Sequence, residues 1–147
     1  MRLDDLIVML RDLPIFESVD PEALRLLAFS AIRKQLRPGD ILFRRGDPAD
    51  GGFLVLNGDI VLDRSDDGAP SPHVFGPGSL IGQLALVAPM QRPATAVVRD
   101  TATVMYLSRD LMTKVLEAHP SSAVAIRNFI ARQGRQLADR LSRIQGI

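Results

Sequence analysis

Cysteine is absent from the 147 residues, which excludes disulfides, thiolate nucleophiles and thiolate metal sites. Histidine is scarce. His73 falls in a strand-like run and His119 directly precedes Pro120. A metal-dependent barrel needs two or three His and a carboxylate converging on one point, and two distant His do not supply that. No stretch approaches the roughly 18–20 apolar residues that a membrane-spanning helix requires. Charge of one sign is lacking too. Eighteen Lys+Arg against 17 Asp+Glu leave a net charge of +1, with no chain-wide pull toward nucleic acid or anionic membranes. There is no Walker loop, nucleophile elbow or paired-His helix, and no internal repeat or low-complexity segment. Met1-Arg2-Leu3-Asp4-Asp5 places two acids ahead of the apolar residues, the reverse of a secretory signal. These absences lead to the expectation of a cytoplasmic protein that is not an enzyme and holds neither metal nor cofactor.

What is present suits one folded domain. The chain is long enough for one hydrophobic core, and 46% hydrophobic and 24% charged residues are ordinary for a globular protein. The order is helical, then β, then helical, with boundaries expected at 1–30, 31–107 and 108–147. Leu3, Leu6, Ile7 and Leu10 share one helical face, and Pro14 stops that helix. Asp20-Pro21-Glu22 reads as a capped helix start, with Leu24, Leu27 and Ala28 facing inward.

From about Ala31 turn residues recur at short intervals: Pro38-Gly39-Asp40, Gly46-Asp47-Pro48, Asn57-Gly58-Asp59, Asp66-Asp67-Gly68 and Gly76-Pro77-Gly78. Strand-like runs lie between and after them, at 41–43, 53–56, 60–62, 96–98 and 103–107. This spacing predicts an antiparallel sandwich or barrel, and Asn57-Gly58 predicts a hairpin. The predicted core is Phe43, Leu54, Leu56, Val61, Leu86, Val97, Val104 and Leu107, with Tyr106 on a buried strand. Met9, Met90, Met105 and Met112 read as core filler, and Asp66-Asp67 as a turn tip.

Ser108 can cap a helix carrying Leu111, Met112, Val115 and Leu116, which Pro120 ends. A final helix from Ser121 to about Gln145, roughly 35 Å long, carries Ile126, Phe129, Ile130, Leu137, Leu141 and Ile144 on one side. Gly134 in its middle suggests a bend or a close helix contact. The stripe is longer than a small roll can cover, so a homodimer through this helix is expected. From Ser122 onward there are five Arg (Arg127, Arg132, Arg135, Arg140, Arg143) and one acid, Asp139. That is either a solvated face or a nucleic-acid contact.

Two stretches carry the chemistry. The first runs from Pro38-Gly39-Asp40 through Gly46-Asp47-Pro48-Ala49-Asp50 to Phe53-Leu54-Val55-Leu56-Asn57-Gly58. The second is Gly82-Gln83-Leu84-Ala85-Leu86 with Arg92-Pro93-Ala94-Thr95-Ala96 close behind. A helical turn that starts at a glycine exposes backbone N–H groups suited to an anion. An arginine returning to the same loop offers a planar fork for phosphate. The bland reading, a surface arginine beside a structural turn, stays open on these residues alone.

Both stretches resemble the signatures of the cyclic-nucleotide-binding domain family, over roughly residues 10–145. The resemblance implies a mainly β jelly-roll (β-roll) flanked by N-terminal helices and a long C-terminal helix. It implies a phosphate cassette formed by Gly82, Gln83, Leu84, Ala85, Arg92, Pro93 and Ala94, with Arg92 and the Ala85 N–H on the phosphate. Two positions depart from the family pattern. Gln83 stands where the family usually has Glu, whose carboxylate accepts the ribose 2′-hydroxyl. A neutral acceptor there should lose about 1 kcal/mol. Pro93 stands where Ser, Thr or Ala is usual, and removes a backbone donor and any hydroxyl for a guanine. Together these imply roughly 10- to 100-fold weaker binding.

Three readings follow. The chain is a sensor that binds a cyclic mononucleotide, cAMP ahead of cGMP, and signals through its C-terminal helix to an effector in trans. It is instead a ligand-free interaction or dimerisation module, or else the regulatory half of a DNA-binding transcription regulator. In the last case no helix-turn-helix is expected before the chain stops at Ile147, so this chain is not expected to bind DNA directly.

Overall fold

The computed structural model describes residues 2–63 and 73–144, apart from the side chain of Ile144. The predicted Asp66-Asp67-Gly68 turn and that side chain lie outside the described residues. The chain divides into two compact units, Met1–Ala28 with Val115–Ile147, and Phe29–Lys114.

The first unit is helical. α1 (Leu3–Arg11) is followed by a short 3-10 turn (Pro14–Phe16), and α2 (Pro21–Ser30) begins in this unit. α3 (Arg109–Ala118) ends in it and α4 (Pro120–Ile144) completes it. The Asp20 carboxylate accepts from the Glu22 N–H at 2.8 Å, the expected cap at the start of α2. Leu10, Ile15, Phe16, Leu24 and Leu27 are fully buried, joined by Ile126 and Phe129 of α4. Ser122, fully buried near the start of α4, accepts the Asp20 N–H on its Oγ at 2.8 Å. Beyond Ile130 every described residue of α4 is exposed. Among the described residues a Cβ added at Gly134 would meet nothing within 4 Å, so of the bend or close helix contact expected there, the close contact is not seen.

The second unit is the jelly roll. One sheet has the order β1 (Ile32–Leu36), β10 (Ala102–Ser108), β4 (Gly51–Asn57), β7 (Leu80–Ile81). The other has β2 (Ile41–Phe43), β9 (Thr95–Val98), β5 (Ile60–Asp63), β6 (His73–Phe75), and a two-stranded ribbon joins β3 (Pro48–Ala49) to β8 (Met90–Gln91). All the pairings are antiparallel. A core of buried residues that includes Phe53, Val55, Ile60, Leu62, Ala96 and Val104 fills the roll. Two turns share a device. In Arg37–Asp40 and Arg44–Asp47 the Asp carboxylate accepts the N–H of the Arg three residues earlier, at 2.8 and 2.9 Å. The Asp N–H closes on that arginine's carbonyl at 3.0 and 3.1 Å.

Two expectations are corrected here. Asn57-Gly58 does not close a hairpin, because β4 and β5 belong to different sheets. It turns a corner between them. Gly58 has φ +83°, and an added Cβ would press into the Thr101 carbonyl and Ala102, so close packing against the opposite chain demands the glycine. Val61 and Val97 are only partly buried. They pair with each other and, through Ile41 and Val74, line up across the outer face of the second sheet. Ile60, Leu62, Ala96 and Val98 take the inner face instead. Leu54, Leu56, Leu86, Val104 and Leu107 are buried as expected, while Phe43 is partly buried.

Candidate functional site

Between β7 and β8 the chain makes a second 3-10 turn, Gln83–Leu86. Gly82 precedes it with φ +81°, a left-handed conformation that only glycine takes at low cost. A second constraint acts on the same atom, since an added Cβ would sit 2.5 Å from Arg92 Nη1. The glycine therefore launches the turn and also makes room for the guanidinium.

Arg92 follows β8 and is locked at the main chain. Its N–H donates to Asp47 O and its carbonyl accepts the Gly46 N–H, both at 2.8 Å. Its side chain runs inward and is only 5% exposed. Nη2 donates to Gly51 O at 2.9 Å, and the guanidinium lies 4.4 Å from the Phe43 ring centroid and 5.5 Å from that of Phe53. Burial pushes its pKa down from the usual arginine value, and the negative fields of Asp50, Tyr106 and Asp47 oppose that shift. The Tyr106 hydroxyl donates to Asp50 Oδ1. Burial first, then this bond and the Asp50 charge, push the Tyr106 pKa up to about 12 against the opposing pull of Arg92 and Arg109.

Of these groups Arg92, Phe43 and Gly82 line a cavity of about 240 Å³. Of the seven residues singled out in the sequence, Gly82, Gln83, Leu84, Arg92, Pro93 and Ala94 line it. Ala85 does not. It is fully buried beneath the turn, and its N–H donates to Gly82 O at 3.0 Å. The N–H groups of Gln83 and Leu84, at the open end of the turn, are better placed to meet an anion. The remaining wall is apolar: Phe43, Leu62, Phe75, Leu80, Ile81 and Met90. Phe43 was expected as core and Met90 as core filler, and sequence reasoning assigned none of the six to the site. Short strands of two to four residues carry too little alternation to reveal an inward face. Gly51, which supplies the arginine's acceptor, was also missed. Its signal was the Gly51-Gly52 pair inside a strand, a mark of close backbone approach.

Among the described residues, a buried arginine, a 3-10 turn and an apolar wall meet at one cavity inside the β-roll. The chain belongs to the cyclic nucleotide-binding domain family, whose model matches residues 33–119. The N-terminal domain of a transcriptional regulator from Streptomyces coelicolor A3(2) superposes with a TM-score of 0.83 at 32% identity, over 90% of this chain and 94% of that one. The regulatory domain of Toxoplasma gondii PKA, solved with cAMP, gives a TM-score of 0.71 at 26% identity over 77% of this chain and 44% of that one. Lysophospholipase NTE1 of Chaetomium globosum is 33% identical over 116 residues, 77% of this chain. The chain spans only 8% of that enzyme's length. Among the described residues no helix is long and apolar enough to cross a membrane, and no cluster of three metal-ligating side chains occurs.

Proposed function

We propose that this chain is a regulatory domain that binds a cyclic mononucleotide, cAMP ahead of cGMP, and signals through its C-terminal helix to an effector in trans. The observation that carries the reading is the placement of Arg92, a cation 5% exposed that nevertheless lines the cavity beside the open end of the 3-10 turn. A buried cation that lines a low-dielectric cavity is strongly drawn to an anion. The cavity, about 240 Å³, lies just under the lower end of the range for small-ligand pockets, about 300–1,000 Å³. Its apolar wall suits a base and sugar. Preference for adenine rests on Pro93, which brings no hydroxyl to a guanine. The exposed half of α4 supports a homodimer, and a cytoplasmic location goes with this reading.

Titration calorimetry tests this. Arg92→Ala should weaken cAMP binding roughly 10- to 100-fold. Gln83→Glu restores a charged acceptor for the ribose and should tighten binding by about tenfold at most. Absence of heat at millimolar nucleotide, with no rescue by Gln83→Glu, would sink the sensor reading.

One observation favours a second reading, a ligand-free interaction module. Arg92 is already held by the Gly51 carbonyl and the Phe43 ring without any ligand. A cation so well satisfied gains less from an arriving anion. The calorimetry separates the two.

A further inference from the structure

Arginine is a poor choice for the first residue of a helix, because that end carries partial positive charge and favours acids. Arg109 nevertheless opens α3, between the capping Ser108, whose Oγ accepts the Leu111 N–H at 3.1 Å, and Asp110. Its side chain turns back onto the roll. Nη1 shares its two hydrogens among three main-chain carbonyls, Ala49 O at 2.9 Å, Ala85 O at 3.1 Å and Ala88 O at 3.2 Å. Its own N–H donates to Asp50 O at 2.7 Å. A residue that conflicts with its local element but is committed to distant main chain serves the tertiary structure.

The acceptors fall into two groups. Ala85 and Ala88 close the 3-10 turn of the cavity wall. The Val87 and Ala88 N–H groups both turn back to Leu84 O, at 3.1 and 3.0 Å, and the carbonyls of Ala85 and Ala88 accept from the arginine. A cation at that pole complements the turn's negative end and leaves its N–H end toward the cavity. Ala49 and Asp50 directly precede Gly51, the residue whose carbonyl anchors Arg92. One guanidinium therefore holds the turn from behind and also grips the strand corner from which Arg92 is hung.

We propose that Arg109 is a positioning residue for the cavity, fixing the spacing between the open end of the turn and the Arg92 guanidinium. Its effect on affinity rests on the nucleotide reading given above. Its effect on the turn does not.

Two variants and two measurements test it. Arg109→Met keeps the length and loses the donors, while Arg109→Lys keeps a cation with three donors. In the ligand-free protein, hydrogen exchange of the Ala85, Val87 and Ala88 amides should quicken about tenfold or more in Arg109→Met. Val55 and Val98, bonded within the roll to Ser79 O and Asp40 O, should be unaffected, and Arg109→Lys should keep most of the protection. By calorimetry Arg109→Met should bind cAMP about tenfold more weakly, and Arg109→Lys should recover most of that loss. Uniform acceleration at all five amides would reduce Arg109 to a general stabiliser and overturn the proposal. So would unchanged exchange in the turn, or Arg109→Lys behaving as Arg109→Met. A wild type that binds no nucleotide would defeat the functional reading alone, because the exchange measurement still decides the role of Arg109.

Discussion

Tyr106 shows how one side chain ties the site to pH. It is half-buried, donates to Asp50 and stacks against Phe53 at a centroid distance of 5.0 Å. These surroundings favour the neutral phenol, so the folded state holds its proton up to about pH 12, whereas an unfolded tyrosine loses it near pH 10. The folded pKa is the higher one. The resulting stabilisation is therefore complete below about pH 10 and disappears as pH rises toward 12. Ultraviolet titration of the phenolate band should show the native midpoint near 12 in wild type. Urea unfolding followed from pH 9 to 12 should show a decline in stability that Tyr106→Phe largely removes. A native midpoint near 10 would contradict the Asp50 contact. None of this could be read from the sequence. Asp50 and Tyr106 are distant in the chain, and only the pairing of Tyr106 with Phe53 across β10 and β4 brings the phenol to the carboxylate.

At the scale of elements the sequence was most legible where punctuation is strong. Asp20-Pro21-Glu22 starts α2, Ser108 caps α3, and Pro120 separates α3 from α4. These signals act locally, through caps and a missing N–H, so they survive any tertiary arrangement. The runs Ile60-Val61-Leu62 and Ala96-Val97-Val98 were harder. Each is apolar throughout, alternation carries no information, and the inner face is chosen by register alone. Six of the seven residues that the family resemblance singled out around Gly82 and Arg92 do line one cavity, so that much of its lining was legible. The apolar wall was not, since Phe75 and Leu80 sit on strands too short to show a period. Ser122 is a junction that sequence does not advertise. Its hydroxyl, itself buried, accepts the N–H that precedes α2 in a part-buried bond. Ser122→Ala should leave the Asp20 N–H unpaired and cost about 1–3 kcal/mol, a drop of roughly 2–12 °C in Tm. Calorimetric melting checks this, and a change below 1 °C would deny the bond any role.

For the whole molecule, the open question is what covers the end of α4. Leu137 is 57% exposed and Leu141 48%, on the side where Ile126 and Phe129 are buried. Pairing of two such helices would bury those leucines, and Leu137→Glu with Leu141→Glu should convert a dimer to a monomer by light scattering. The same segment carries Arg132, Arg135, Arg140 and Arg143 against Asp139. Like charges would then face one another, and the dimer should tighten as salt rises from about 50 to 500 mM. Weakening with salt, or a monomer at high micromolar concentration, would point to an acidic partner instead of a second copy. The aromatic network offers a way to watch such events. With no tryptophan and a single tyrosine, the intrinsic ultraviolet emission of the chain comes essentially from Tyr106. That ring shares Asp50 with the electrostatic environment of Arg92. On the function proposed above, an anion arriving at Arg92 would change the field at that emitting group, giving the molecule a label-free optical gauge of occupancy at dilutions where calorimetry gives no heat.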